Sequence, residues 1–371
     1  MRNLLDSVKS VLLMGAGPSS VAPSTYHALS HNTIGHMDPD FLSIMEELKA
    51  GLRVLFGTEN ALTMPLSGTG SLGMEASFVN LVEKGDKVLI LQNGVFGTRM
   101  VDVAGRLGAQ VTELSFEWGT PVDVEAVKAA LAKDTYKIVA VVLAETSTGV
   151  KNPVAEIGAL LKGMDTLFLV DAVTAIGGME LKVDEWGIDV CYAGSQKCIA
   201  CPPGVAPITF SDRALKAVAE RKSKVPNWYV DTTLLAQYLG GGKRVYHHTA
   251  PINMMYALYQ AVYNILEEGT DKVYARHMEV HKYLVEKLSA MGFEMLVDEK
   301  YRLPMLNTVK VPEGVDEAEL RSRLMKEYNI EINGGLGSLA GKILRIGLMG
   351  YNATYDNVDR LIDAMKEILG K

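Results

Sequence analysis

Two residues in one stretch carry the chemistry of this chain: Asp171, at the end of the apolar run 167–170, and Lys197, just past a second apolar run at 190–193. A short unbroken apolar run bounded by polar residues reads as a parallel-sheet strand covered on both faces. Asp171 therefore emerges at a strand's carboxyl end. The small residues Gly194 and Ser195, with Gln196, turn Lys197 into the same crevice. A carboxylate leaving a covered strand needs a cationic or hydrogen-bonding partner, because an unpaired buried charge is costly. Two arrangements meet that need. The residues pair with each other, or they face the two ends of one cofactor, the amine toward an aldehyde and the acid toward a protonated ring nitrogen.

Other residues extend the crevice. SGTGSLG at 67–73 contains G-x-G-x-x-G after a strand and opens a helix, which points first to a nicotinamide dinucleotide. That fingerprint needs an acid at the end of the next strand, and strand 88–91 ends in Gln92-Asn93, with Asp86 at its wrong end. What survives is an anion site: the hydroxyls of Ser67, Thr69 and Ser71 with the free N–H groups of a helix N-terminus. A helix dipole contributes only ~0.3–2 kcal/mol, whereas hydrogen bonds to a charged phosphate add roughly 1.5–3 kcal/mol each, so the donors dominate. Phe96, in the glycine-flanked loop NGVFG, offers a flat ring for stacking on a heteroaromatic ligand, and ETSTG at 145–149 offers hydroxyls. Strands ending at Ser67, Gln92, Ala144, Val170 and Ala193 thus deliver polar residues to one sheet edge, where doubly wound sheets bind ligands. Arg345, among apolar strand neighbours, suits a substrate carboxylate that its planar fork grips bidentately.

Several patterns carry less. His27 and His31 have i,i+4 spacing without an accompanying acid, so they read as a surface pair and not a metal site. The adjacent His247 and His248 lack helical metal spacing. Cys198 and Cys201 read as packed thiols. Lys222–Lys224 and the glycine–lysine stretch 240–244 read as solvated loop.

The elements that position these residues follow from periodicity. Asp38 caps a helix over 37–56 whose stripe is Phe41, Ile44, Met45, Leu48, Leu52 and Leu55. From residue 61 onward strand and helix alternate through IVAVVLA, which implies an α/β fold with a parallel, doubly wound sheet. Residues 225–249 read as a long irregular region, 253–291 as helical, and the remainder as a compact α+β unit. The expected division is an N-terminal arm at 1–14, a large domain at 15–250, and a helical connection with a small C-terminal domain at 251–371. With 371 residues and a net charge of −7, no basic block marks a nucleic-acid or anionic-membrane partner. No apolar run is long enough for a membrane helix. Three cysteines make no disulfide framework, so a reducing compartment, the cytoplasm, is expected.

In order along the chain, GAGPS, SGTGSLGMEA, NGVFG, ETSTGV, VDAV, GSQK, PPG, YHHT, NGGLG and LRIGLMG resemble the class V, fold-type I pyridoxal-phosphate aminotransferases. The resemblance is strongest to the alanine–glyoxylate and serine–glyoxylate (serine–pyruvate) branch. It implies a large domain whose mostly parallel sheet is covered by helices, plus a smaller α+β domain. Lys197 would carry the Schiff base and Asp171 would face the pyridinium nitrogen. Thr69, Gly70, Ser71 and Gln196 would hold the phosphate, Thr146 would lie near the phenolic oxygen, and Phe96 would stack on the ring. Tyr246 and Thr249 would reach the phosphate of the neighbouring subunit, so a homodimer is expected. Arg345 would hold the substrate carboxylate, with Gly15 in the substrate loop. Phe96 stands where relatives often have Trp, and GAGP where GPGP or TPGP is usual. The implied reaction is ping-pong transamination from a small amino acid, alanine or serine, to a 2-oxo acid, glyoxylate or pyruvate, with Lys197 as the base. Aspartate- or aminoethylphosphonate-directed transamination and an NAD-linked oxidoreductase are the alternatives.

Overall fold

A computed structural model describes residues 3–239 and 245–371. Met1, Arg2 and the stretch 240–244 read as solvated loop lie outside the described residues. Seven strands form the large sheet, in the spatial order Leu62–Ser67, Val205–Phe210, Val190–Tyr192, Leu167–Asp171, Ile138–Val142, Lys87–Gln92, Gln110–Ser115. The connecting helices Gly70–Leu81, Val95–Arg106, Val124–Lys133 and Val154–Leu161 follow the expected alternation. All central strands are buried along nearly their whole length. The helix Pro39–Phe56 begins where the sequence suggests: the Asp38 carboxylate accepts the Asp40 N–H at 2.9 Å. Phe41, Met45, Leu48, Leu52 and Leu55 then fill the core.

Three features depart from the sequence reading. Val205–Phe210 is a strand the periodicity reading did not foresee, antiparallel to both neighbours, and it makes the sheet mostly parallel, as the family resemblance implies. Pro207 hid it, since proline is a strand breaker in central positions. Ala193 N–H donates to the Pro207 carbonyl at 2.8 Å, but Pro207 has no N–H to return, and the register stops at Ile208 opposite Tyr192. The two segments nevertheless stay bonded as far as Ser195, whose N–H donates to the Val205 carbonyl at 3.1 Å, and the chain turns to Lys197 directly after it. Second, the region 225–249 is not irregular throughout: Thr232–Leu239 is a helix burying Leu235, Tyr238 and Leu239, too short for periodicity to reveal. Third, IEIN splits at Ile332 into Ile330–Glu331 and Asn333–Gly334, which join different sheets.

Helices Ile252–Glu268 and Thr270–Ala290 meet at Gly269, where φ is 93°. The first packs on the large core, whereas Val280, Leu284 and Leu288 of the second join a separate core with Leu320, Leu344, Ile346 and Leu361. The small sheet places Ile343–Gly347 between Leu306–Lys310 and Asn333–Gly334, antiparallel to both. Leu12–Leu13 pairs in parallel with Ile330–Glu331, which ties the N-terminal segment to the small sheet's side of the molecule. Leu4, Leu5 and Val8 of the arm stay exposed. No described helix is long and apolar enough to cross a membrane.

Candidate active site

Asp171 ends its strand directly beside Tyr192 in the parallel register. One carboxylate oxygen accepts the Val173 N–H at 2.8 Å and the other accepts the Tyr192 hydroxyl at 2.8 Å. Burial pushes this carboxyl up to about 6; the two donors oppose the shift, Glu145 adds to it, and Lys197 opposes it.

Lys197 lies in the tight turn after Val190–Tyr192, its carbonyl held by the Ser19 hydroxyl at 2.8 Å. Its ammonium donates to the Ala16 carbonyl of the GAGP loop. Burial brings this amine down to about 8, opposed by Cys198, with Arg345 acting in the same direction as burial. The loop can pass over the amine only because residue 17 is glycine: φ is 105°, and a Cβ there would lie 2.5 Å from Lys197 Nζ. Asp171 and Lys197 therefore do not satisfy one another; each has other partners.

Both residues line one cavity of about 160 Å³, together with Gly70, Ser71, Phe96, Thr146 and Gln196. Gly70 and Ser71 open the helix Gly70–Leu81, whose first N–H groups have no intrahelical acceptor. Arg345 is not among the lining residues; it is buried behind them, with Nε donating to the Gly334 carbonyl at 2.8 Å and Nη1 to the carbonyl of the lining residue Thr146 at 3.1 Å. Two carbonyls thus aim the guanidinium without neutralising it. Gly15 lies against Asn333, whose side-chain oxygen accepts the Ala16 N–H at 2.6 Å.

Other expected residues are not gathered into this cavity. Thr69 is exposed at the helix N-cap without a side-chain capping bond. Ser67, expected to offer its hydroxyl to an anion, bonds His248 at 2.8 Å instead. Tyr246 and Thr249 are exposed, 3.4 Å apart through their hydroxyls. The dinucleotide reading finds no support, because Gln92 ends its strand with its amide donating to Thr98 at 2.8 Å, where an acid is required. His27 and His31 are an exposed edge-to-face pair, and no metal-binding cluster exists among the described residues. The three cysteines are free and buried, and burial pushes the Cys198 and Cys201 thiols up to about 12.

Sequence reasoning missed Tyr192 and Glu145. Tyr192 matters through its register with Asp171, and nothing in either strand's pattern specifies that register. Glu145 drew no notice beside the hydroxyls that follow it, yet it is fully buried.

The donor set fits pyridoxal phosphate. Free N–H groups at the helix start, the Ser71 hydroxyl and the Gln196 side-chain NH2 are donors that suit the phosphate. A buried carboxylate suits a protonated ring nitrogen, an amine suits an aldehyde, and the Phe96 ring suits a flat heterocycle.

Residues 22–361 match the family described as Aminotransferase class-V. The chain is 40% identical to the alanine–glyoxylate aminotransferase of Mus musculus, covering 98% of this chain and 88% of that protein. It is 37% identical to the (S)-ureidoglycine–glyoxylate transaminase of Bacillus subtilis, over 96% of this chain and 90% of the other. Among solved structures, an alanine–glyoxylate aminotransferase from Nostoc sp. superposes with a TM-score of 0.96 at 45% identity, covering 100% of both chains.

Proposed function

The chain belongs to the class-V aminotransferases, which work with pyridoxal 5'-phosphate, and from that membership we propose that it transfers the amino group of alanine or serine to glyoxylate or pyruvate in two half-reactions. The observation that carries the reading is the single cavity shared by Lys197, Asp171, Phe96 and a helix N-terminus, with Arg345 bonded to the carbonyl of the lining residue Thr146. The choice of small substrates is supported by the likeness to two glyoxylate-using relatives.

Bound in the cavity, the cofactor supplies an electrophilic aldehyde carbon and a ring that accepts electrons. The protein's residues do the rest. Burial lowers the Lys197 amine to about 8, so more of it is neutral than of an ordinary lysine; its Nζ would hold the aldehyde carbon and, when free, would take the proton from the substrate's α-carbon. Asp171, held rigid by Val173 and Tyr192, keeps a proton on the ring nitrogen. Gly70, Ser71 and Gln196 would hold the phosphate, Thr146 would lie near the phenolic oxygen, and Phe96 would stack on the ring. Arg345 would hold the substrate carboxylate, with Gly15 in the loop beside it. Tyr246 and Thr249, both exposed, complete the site of a second copy in a homodimer. Three buried free thiols suit a reducing compartment such as the cytoplasm.

The test is a half-reaction screen. The protein loaded with pyridoxal phosphate is mixed with alanine, serine, aspartate or aminoethylphosphonate, and afterwards with glyoxylate or pyruvate. Alanine or serine should bleach the visible band fastest and glyoxylate or pyruvate restore it; a preference for aspartate or the phosphonate would refute the substrate assignment.

A further inference from the structure

Glu145 lies between two residues of the cavity wall, Ala144 and Thr146, while its own side chain runs beneath the start of the helix Val95–Arg106. Four donors converge on the carboxylate. One oxygen accepts the backbone N–H and the hydroxyl of Ser147, at 3.0 and 2.5 Å. The other accepts the N–H groups of Phe96 and Gly97, at 3.1 and 3.3 Å. The Ser147 hydroxyl oxygen in turn accepts the Val95 N–H at 2.9 Å. The first N–H groups of a helix have no acceptor of their own, and Glu145 and Ser147 together accept those of Val95, Phe96 and Gly97. The approach is close: a Cβ on Gly94 would lie 2.4 Å from Glu145 Cδ.

These contacts reach both the cofactor and the substrate sides of the cavity. Phe96, whose N–H Glu145 accepts, supplies the flat wall. Thr146, the next residue, supplies another part of the wall, and its carbonyl holds Arg345. We propose that Glu145 is the positioning residue that sets Phe96 and Thr146 against the cofactor and, through the Thr146 carbonyl, aims Arg345 at the substrate carboxylate. This rests on the aminotransferase reading above. Burial works against the ionised form of Glu145, and its bonds to Ser147, Gly97 and Phe96 work for it. All four donors call for a carboxylate that accepts on both oxygens, which an amide cannot do.

The test compares Glu145→Gln, nearly the same shape, with Ser147→Ala, which removes one of the four donors. Cofactor-free protein is titrated with pyridoxal phosphate, and alanine–glyoxylate kinetics are measured at saturating cofactor. Losing hydrogen bonds to a charged group should weaken cofactor binding in Glu145→Gln by about tenfold or more and raise KM for both substrates several-fold, with kcat changed less. Ser147→Ala should move both quantities in the same direction by less. Unchanged cofactor affinity and KM in both variants would overturn the proposal, as would a fall confined to kcat. If Glu145→Gln does not fold, Ser147→Ala decides by the same two readouts. Wild-type protein that captures no pyridoxal phosphate would overturn the aminotransferase reading itself, whereas capture unaltered by either substitution would overturn only the role of Glu145.

Discussion

At the scale of the residue, Asp171 is a charge that burial makes costly to hold. Its folded-state value of about 6 lies roughly two units above the ordinary 3.8, which corresponds to about 3 kcal/mol at most. The sign follows from linkage: the folded state holds the proton more tightly, so its contribution to stability is full below 3.8 and lost as pH rises through about 6. Asp171→Asn should therefore raise the thermal midpoint of the cofactor-free protein at pH 8, and do so less at pH 5, while abolishing transamination. Equal shifts at both pH values, read by scanning calorimetry, would contradict the assignment of that cost to Asp171. Asp171 and Lys197 were legible in the sequence because each closes an apolar run. Tyr192 and Glu145 were not, since their roles come from strand register and from a helix start brought over residue 145 by the fold.

At the scale of the element, the site is a meeting of chain ends with one threaded loop. Residues 14–17 run between the small sheet and the lysine turn: Gly347 N–H donates to the Met14 carbonyl at 2.8 Å, and the Ala16 carbonyl receives Lys197. A Cβ at Gly347 would lie 1.9 Å from the Gly15 carbonyl oxygen, so the loop would have to move. Gly347→Ala should leave the large sheet folded yet raise KM for both carboxylate substrates, because Arg345 lies two residues away on the same strand and the loop borders the substrate. Steady-state kinetics with KM unchanged would count against the loop's part in binding. The strand–helix alternation that builds this edge was readable from apolar runs and turn residues. Val205–Phe210 escaped because Pro207 and Pro65 face each other in its register, and a local rule about proline cannot anticipate that pairing. The helix Thr232–Leu239 escaped because eight residues are too few for a 3.6-residue period to stand out.

At the scale of the whole molecule, Tyr246 and Thr249 are exposed and lie outside the cavity of their own chain. If each site takes them from a second copy, Lys197→Ala and Tyr246→Phe/Thr249→Val subunits, each impaired alone, should recover activity when refolded together. A mixed dimer then carries one intact site, and recovery should approach about a quarter of wild type in a closed two-fold assembly. No recovery, with mixed dimers demonstrated by mass, would confine each site to one chain. The central claim of the proposed site is a cofactor ring between Asp171 and Lys197, and one measurement tests it most directly. The protein is loaded with pyridoxal phosphate, reduced with borohydride, and digested for peptide mass mapping. A single pyridoxyl group on Lys197 is expected, absent from Lys197→Ala and with the visible band altered by Asp171→Asn. A label on another lysine, or one that persists in Lys197→Ala, would contradict it.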